Sequence, residues 1–477
     1  MSRKQKAYLI VFVLSLVIFA SCFRFYGLTF QSMWLDELLS INHSVPSGGI
    51  AEPIRYAISK DESPPLFNML LWIWRLAFGT GEYPARALPA LFGILGVLSM
   101  FFLGQELFSA KVGIYASLLT AVLPFHIYYS QEVRPYSLLF LLSVLSYYSL
   151  LKFKKRKNIK WGLLYVLPTS CMLYTHYFGF LVLFAQLVYL AVVFLYDRDG
   201  DKKSFLKSFI PLGVLMALIY LPWIERVRRL SKVKEFWVDI SPPDFFVSYF
   251  KSYFGGELYV VFICLVLMGV YAFYRSEKGE VAGHKVLLFS SVFLVFLVPY
   301  FRSFTHAPLL TPRNTIVALP AIVLMVSKGL DRFRSEKFRS LLLGTILLML
   351  LVNIFLTNGN YYKMVTKEQW REAAKYVLVK DPEGKYPVFV EGKMRYYFYD
   401  VFKSGRRLWP EIKTTYRAER ASEFISEKKF EGFWVIEAHR RMDKEAQQYL
   451  NDQYSLKVRK SLKGARVTFY VPKEPQD

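Results

Sequence analysis

The sequence predicts an α-helical polytopic membrane protein that ends in a small α/β domain. Three observations carry this. The 477-residue chain is 54% hydrophobic and 18% aromatic, with a mean hydropathy of +0.27, which is unlike a soluble domain. Several of its apolar runs approach or exceed the roughly 20 residues needed to cross a hydrocarbon core of about 30 Å. Beyond residue 357 the pattern changes to amphipathic helical stretches alternating with short apolar strands.

Spans are expected near residues 7–23, 87–107, 112–130, 134–151, 161–175, 177–196, 208–224, 257–274, 286–301, 312–329 and 339–357. The first, after Arg3, Lys4 and Lys6, has the look of a signal peptide. Cys22 approaches a lipoprotein cleavage box, but Phe19 fits it poorly and many spans follow, so an uncleaved first helix is expected. The basic clusters at 152–157, at Arg198 with Lys202 and Lys203, at Arg275 with Lys278, and at 328–339 all fall on the side of the N-terminus. By the positive-inside rule that side is cytoplasmic. The expected setting is a plasma or inner membrane, with the C-terminal domain outside. Residues 1–357 then form the membrane domain and 358–477 the extracytoplasmic one.

Three segments lie outside and are large enough for chemistry: 24–86, 225–257 and 358–477. The first contains an apolar stretch from Leu66 to Trp74 after Pro64 and Pro65. Proline suits the first turn of a helix, and the stretch is short for a span, so a helix lying along the interface is expected. The second carries Arg226, Arg228, Arg229, Lys232 and Lys234, which read as a wet juxtamembrane segment or a contact for an anion. In the third, helices are expected at 367–378, 418–428 and 444–452, and strands at 386–390, 432–436 and 465–470. This is an α/β pattern of ordinary domain size. It contains no Gly-rich phosphate loop and no nucleophile elbow.

The net charge of +24 sits in loops between apolar runs, in the tail and in one outer loop. That placement points to topology and to anionic lipid or phosphate rather than nucleic acid. Cys22, Cys171 and Cys264 show neither metal-ligand spacing nor a disulfide framework.

Ionisable groups gather at the outer ends of the spans, where charge beside a bilayer is expensive and invites a functional reading. Asp36 and Glu37 follow the first span, next to Trp34. Asp61 and Glu62 precede the Pro-Pro pair. Gln131, Glu132 and Arg134 form a tight outer turn just before Tyr136. His176 and Tyr177 form the next turn, and His306 and Arg313 flank the last outer loop. Such a set offers carboxylates for proton abstraction and cations for a phosphate.

The order of these motifs carries a resemblance. Trp34-Leu35-Asp36-Glu37, Ser63-Pro64-Pro65-Leu66-Phe67, and Gly79 to Glu82 with Ala85-Arg86 resemble the start of the GT-C membrane glycosyltransferases. The similarity is closest to the protein O-mannosyltransferase and aminoarabinose-transferase superfamily, which is glycosyltransferase family 39-like. It continues through Leu103-Gly104-Gln105-Glu106, Tyr129-Ser130-Gln131-Glu132-Val133-Arg134-Pro135-Tyr136, Tyr174-Thr175-His176-Tyr177 and Pro312-Arg313-Asn314, over about the first 330 residues. No single motif is specific; the ordered set is. The resemblance implies an inverting transfer of a sugar from a polyprenyl-phosphate donor to a protein, lipid or cell-surface glycan. Asp36 would be the base, Glu132 the second acid that orients the acceptor, and Glu37 its neighbour. Arg86, Arg134 and Arg313 would bind the donor phosphate. Asp61, Tyr136, His176 and Tyr177 would line the site, and the Pro64 to Trp74 helix would line a lipid groove. No obligatory cofactor is implied. Relatives differ over a divalent metal, and no ligand set stands out beyond the acids.

The chain departs from the pattern in three places. Ser63 stands where relatives often have a basic residue or His, Asn314 follows Arg313 where Tyr is common, and Leu38 and Leu39 follow the Asp-Glu pair where some relatives have Arg. Other readings are a transporter or flippase for a lipid-linked anionic glycan, a ligase for such a glycan, and a non-catalytic receptor. A transporter would show repeats or broken helices with ionisable groups near the bilayer middle. Here the acids lie at one face.

Overall fold

The protein is described from a computed structural model that covers residues 2–59, 63–196, 202–230, 238–274, 280–356, 361–439 and 441–473. Asp61, Glu62, Lys232 and Lys234 lie outside these residues. The chain divides into two units. One is made of Met1–Tyr26, Ile50–Leu70 and Arg86–Asn360, the other of Gly27–Gly49, Leu71–Ala85 and Tyr361–Asp477.

The first unit is helical. Among the described residues, eight helices are long and apolar enough to cross a membrane, and two bent pairs bring the total to as many as ten. The bent pairs are Ala110–Val122 with Pro124–Ser130, at 62°, and Phe245–Phe254 with Tyr259–Tyr271, at 102°. The expected span at 161–175 is the shorter helix Ile159–Leu173. Its 15 residues rise only about 22 Å, at roughly 1.5 Å per residue.

The first bend has a clear cause. Pro124 has no N–H to return to the carbonyl of Thr120, so the helix breaks there and leaves acceptors behind. Arg24, the last-turn residue of the first helix Arg3–Phe25, takes them up. Its wholly buried guanidinium donates to the carbonyls of Thr120 at 3.2 Å, Ala121 at 3.0 Å and Ala20 at 3.1 Å, and lies 2.7 Å from His126 Nδ1. Gly93 makes the room: a Cβ there would come within 2.1 Å of Ser130 Oγ and 3.0 Å of Arg24 Nε. Gln131 then ties the following turn to the end of the first helix through the carbonyls of Phe23, Arg24 and Tyr26. Small residues set the closest helix crossing too. A Cβ on Gly329 would meet the Leu265 carbonyl at 2.1 Å, and one on Gly269 the Met325 carbonyl at 2.3 Å, the close backbone approach typical of membrane helices.

The second unit holds one five-stranded sheet. Its strands are β1 (Val388–Val390), β2 (Leu408–Pro410), β3 (Phe433–Ala438), β4 (Tyr454–Leu462) and β5 (Ala465–Pro472), in the order β2-β1-β3-β5-β4. β1 runs parallel to β2 and β3, while β5 is antiparallel to β3 and β4. Every residue of β3 is buried, so both faces of the sheet are covered. Phe433 and Val435 pack with Ala418, Ala421, Ile425, Ala446 and Leu450 of the helices Thr415–Glu427 and Lys444–Gln453. On the alternate face Trp434 meets Phe469 and Tyr376 of the helix Trp370–Lys380. The expected helices and three of the strands are present. β2 and β4 are additional, and β4 follows directly on Lys444–Gln453.

The segment 27–49 belongs to this second unit, and polar side chains hold it there. The Gln31 carboxamide accepts from the amides of Thr366 and Lys367 and donates to the Met364 carbonyl. Tyr397 Oη accepts from the Met33 amide at 2.7 Å and donates to Glu82 Oε1 at 2.9 Å. Arg371 reaches the carbonyls of Thr29 and Phe30 and pairs with Glu82.

Candidate active site

Within the helical unit a basic and aromatic cluster forms around Tyr136, which is 2% exposed. Tyr136 begins the helix Tyr136–Arg156, directly after the turn Gln131 to Pro135. In that turn the Arg134 amide bonds the Glu132 carbonyl at 2.7 Å, which turns the chain sharply. The guanidinium carbon of Arg134 lies 6.0 Å from the Tyr136 ring centre and that of Arg313 lies 5.9 Å from it. Each is at the outer limit of a cation–π contact, worth about 0.5–2 kcal/mol. Arg313 comes from far along the chain, just before the short helix Asn314–Ala318. Asn314 donates to the Leu309 carbonyl at 2.8 Å and closes that loop. Glu132 is wholly buried.

The His176 ring stands 6.0 Å from that of Tyr136. Its removal from water, with Arg134 and Arg313 nearby, pushes its pKa down to about 3. A neutral imidazole adds no third positive charge beside the two guanidiniums. Tyr129, Phe125 and Tyr253 continue the aromatic wall, with ring separations of 5.0 Å from Tyr136 to Tyr129 and 4.7 Å for each further step. Tyr253 is hydrogen-bonded to the Thr315 hydroxyl, two residues beyond Arg313. Arg86 is buried near the start of the helix Glu82–Leu107.

Next to this cluster opens an apolar cavity of about 1060 Å³. One face of Ile159–Leu173, from Lys160 to Ser170, forms its length, with Leu215 and Ile219 opposite; Pro65, Leu66 and Met69 close one end. The Pro64 to Trp74 stretch is in part this wall. Its helix, Leu66–Phe78, starts just after the two prolines, and the Leu66 amide bonds the Tyr174 carbonyl at 3.0 Å. Tyr177 is at this end as well, where its hydroxyl accepts from Trp223 Nε1 at 3.3 Å. His176 and Tyr177 are adjacent in sequence yet face two neighbourhoods: His176 faces the Arg–Tyr cluster and Tyr177 the mouth of the cavity. Cluster and cavity therefore share one turn of chain.

Asp36 and Glu37 sit in the second unit, in the first turn of the helix Leu35–Asn42. Glu37 is wholly buried and its Oε2 lies 3.0 Å from Lys367 Nζ, itself 6% exposed. Asp36 is half-buried. The far end of the helix is held by Arg75, whose guanidinium donates to the carbonyls of Ile41 at 2.7 Å and Ser44 at 2.8 Å. Ser44 is wholly buried. Asp61 lies outside the described residues. Among the described residues no group of three or more His, Cys, Asp or Glu side chains is placed to hold a metal ion.

Residues 62–224 match the family model described as dolichyl-phosphate-mannose-protein mannosyltransferase. ArnT from Cupriavidus metallidurans, solved with undecaprenyl phosphate, superposes with a TM-score of 0.63 over 97% of this chain and 98% of its own, at 13% identity. The chain has the GT-C fold. The archaeal oligosaccharyltransferase AglB from Archaeoglobus fulgidus, solved with an inhibitory peptide and a dolichol-phosphate, shares this fold with a TM-score of 0.57 and 11% identity, over 91% of this chain and 70% of AglB. The dolichyl-phosphooligosaccharide-protein glycotransferase 1 of Pyrococcus furiosus is 27% identical over 240 residues, which is 47% of this chain. The chain spans only 23% of that relative's length.

Sequence patterning singles out Arg134, Tyr136, His176 and Arg313, which the fold brings to one place. It missed Tyr253 and Thr315, which have no motif of their own. It also missed Lys367, which reads in sequence as one more charge at the start of an amphipathic helix.

Proposed function

We propose that this chain is an inverting glycosyltransferase that moves a sugar from a polyprenyl-phosphate donor to a protein, lipid or glycan acceptor outside the cell membrane. One observation carries the reading: a cluster of two guanidiniums and an apolar cavity meet at the turn 174–178. That is the shape of a phosphate joined to a long hydrocarbon tail. Arg134 and Arg313 hold the donor phosphate, with Arg86 as a third cation, and the polyprenyl chain lies along Ile159–Leu173.

In the reaction, the acceptor oxygen or nitrogen attacks the anomeric carbon while its proton passes to the carboxylate of Asp36. The bond from that carbon to the phosphate oxygen breaks, and the lipid phosphate leaves with the electron pair. Attack opposite the leaving group inverts the anomeric centre. Fixed cations stabilise the departing charge better than water does, because they need not reorganise. Asp36 is taken as the base from its place in the Trp34-Leu35-Asp36-Glu37 motif, and Glu132 orients the acceptor. The N-terminus is cytoplasmic and the C-terminal domain, residues 358–477, extracytoplasmic, in a plasma or inner membrane.

The test supplies membranes carrying the protein with polyprenyl-phosphate hexoses and pentoses labelled in the sugar. Label should reach protein, lipid or polymer, and Asp36→Asn should lower the rate roughly a hundredfold or more. A folded Asp36→Asn variant with full activity would remove Asp36 as the base.

A further inference from the structure

Asp36 stands on a short helix, and a short helix can roll. Leu35–Asn42 is 8 residues long, and its N-cap residue Trp34 makes no side-chain capping bond. Arg75 fixes its C-terminal end through the carbonyls of Ile41 and Ser44. Its roll is set by the side chains it buries, Leu38 and Ile41 by apolar packing and Glu37 by a charge. Successive residues project about 100° apart on a helix, so the direction of Glu37 sets the direction of Asp36.

Glu37 is pinned. Its carboxylate meets Lys367 Nζ at 3.0 Å, and the two side chains are 0% and 5% exposed. The lysine is pinned in turn. Its amide and that of Thr366 donate to Gln31 Oε1 at 3.2 and 3.0 Å, and Gln31 Nε2 returns to the Met364 carbonyl at 2.6 Å. Arg371, one helical turn onward, bonds the Thr29 and Phe30 carbonyls on the same segment. A buried ion pair is seldom a net gain in stability over apolar residues of the same size, because both charges lose their water. What such a pair supplies is a fixed geometry at a fixed place.

We propose that Lys367 is a positioning residue: through Glu37 it fixes the roll of the helix Leu35–Asn42, and with it the direction of the Asp36 carboxylate. The proposal rests on the reading of Asp36 as the base, and it assigns the C-terminal part of the chain a share in catalysis.

The decisive variant replaces both partners, Glu37→Leu with Lys367→Met, because an apolar pair of similar volume keeps the interior satisfied. The double variant should unfold within a few degrees of the wild-type protein in the same detergent. Its kcat for label transfer should nevertheless fall roughly tenfold to a hundredfold, the scale of a misplaced catalytic group, while KM for the labelled donor is unchanged. Glu37→Asp, which keeps the charge but shortens the arm, should show the same split, and Lys367→Arg should restore most of the rate. A double variant with wild-type kcat overturns the proposal, and so does a fall in kcat matched by an equal loss of folded protein. A second readout does not need turnover. The rate at which a water-soluble carbodiimide with glycine ethyl ester modifies Asp36, followed by mass spectrometry, should differ between wild type and the double variant. Equal rates overturn the positioning role. Failure of the wild-type protein to transfer any label instead overturns the proposed function, and leaves the labelling comparison to decide whether the pair steers Asp36.

Discussion

Adjacent residues with the same charge sit in different surroundings. Glu37 is wholly buried against Lys367, while Asp36 is half-buried. The sequence shows the two acids but not this division, because the partner lies 330 positions away. The cations are different. Arg134 and Arg313 could be singled out because each sits at the end of an apolar run, where a charge is costly. Their meeting at Tyr136 comes from the fold. If Arg134 holds the donor phosphate, Arg134→Ala should raise KM for the polyprenyl-phosphate sugar by about tenfold or more, the worth of a charge-assisted hydrogen bond. Donor saturation curves check this, and curves that superpose on those of the wild type would take Arg134 off the phosphate.

The long helices were legible in the sequence because lipid imposes the pattern: a continuous apolar run of fixed length. What interrupts them was not. The 62° bend at Pro124 leaves the sequence looking like one span at 112–130. Only the packing shows that Arg24 replaces the lost backbone donors. β4 was missed for a different reason. It is an edge strand whose side chains are mostly half-exposed or exposed, with Lys457, Arg459 and Lys460 among them, and such charges protect a sheet edge while hiding it. The Lys463-Gly464 turn was the available signal, since Gly464 has φ +66° and a two-residue turn of this kind closes a hairpin. The cavity along Ile159–Leu173 also belongs to this scale. Leu167 lines it and is 63% exposed, so Leu167→Trp narrows the cavity without disturbing a packed core. It should weaken long polyprenyl donors by about tenfold, the value of one or two buried methylenes per isoprene unit displaced. A donor with one or two isoprene units should be little affected. Equal effects on both donors would exclude the cavity as the tail site.

At the scale of the whole molecule, the composition of the two units cuts across chain order and was not readable in the sequence. Gly27–Gly49 and Leu71–Ala85 group with Tyr361–Asp477, and hydrogen bonds of Gln31, Glu82 and Arg371 tie these segments together. Acid should test the helical unit as a whole. His176 titrates at about 3 when folded and near 6.5 when unfolded. The unfolded chain therefore binds a proton first as the pH falls. The stability this group contributes is complete above about pH 6.5 and is lost progressively down to about pH 3. Thermal unfolding between pH 7 and pH 4 should show this loss, and His176→Gln should flatten that part of the profile. An identical slope in the variant would mean that His176 is protonated in the folded protein.

The distance between Glu37 and Lys367 along the chain also has a meaning in time. A ribosome adding roughly 5–20 residues per second takes about 15–65 s to make the intervening stretch. Through that interval the glutamate has no lysine to meet, while Arg75 is already present to hold the other end of its helix. A nascent protein can thus insert its early helices well before residue 367 is made and the Glu37–Lys367 pair can close.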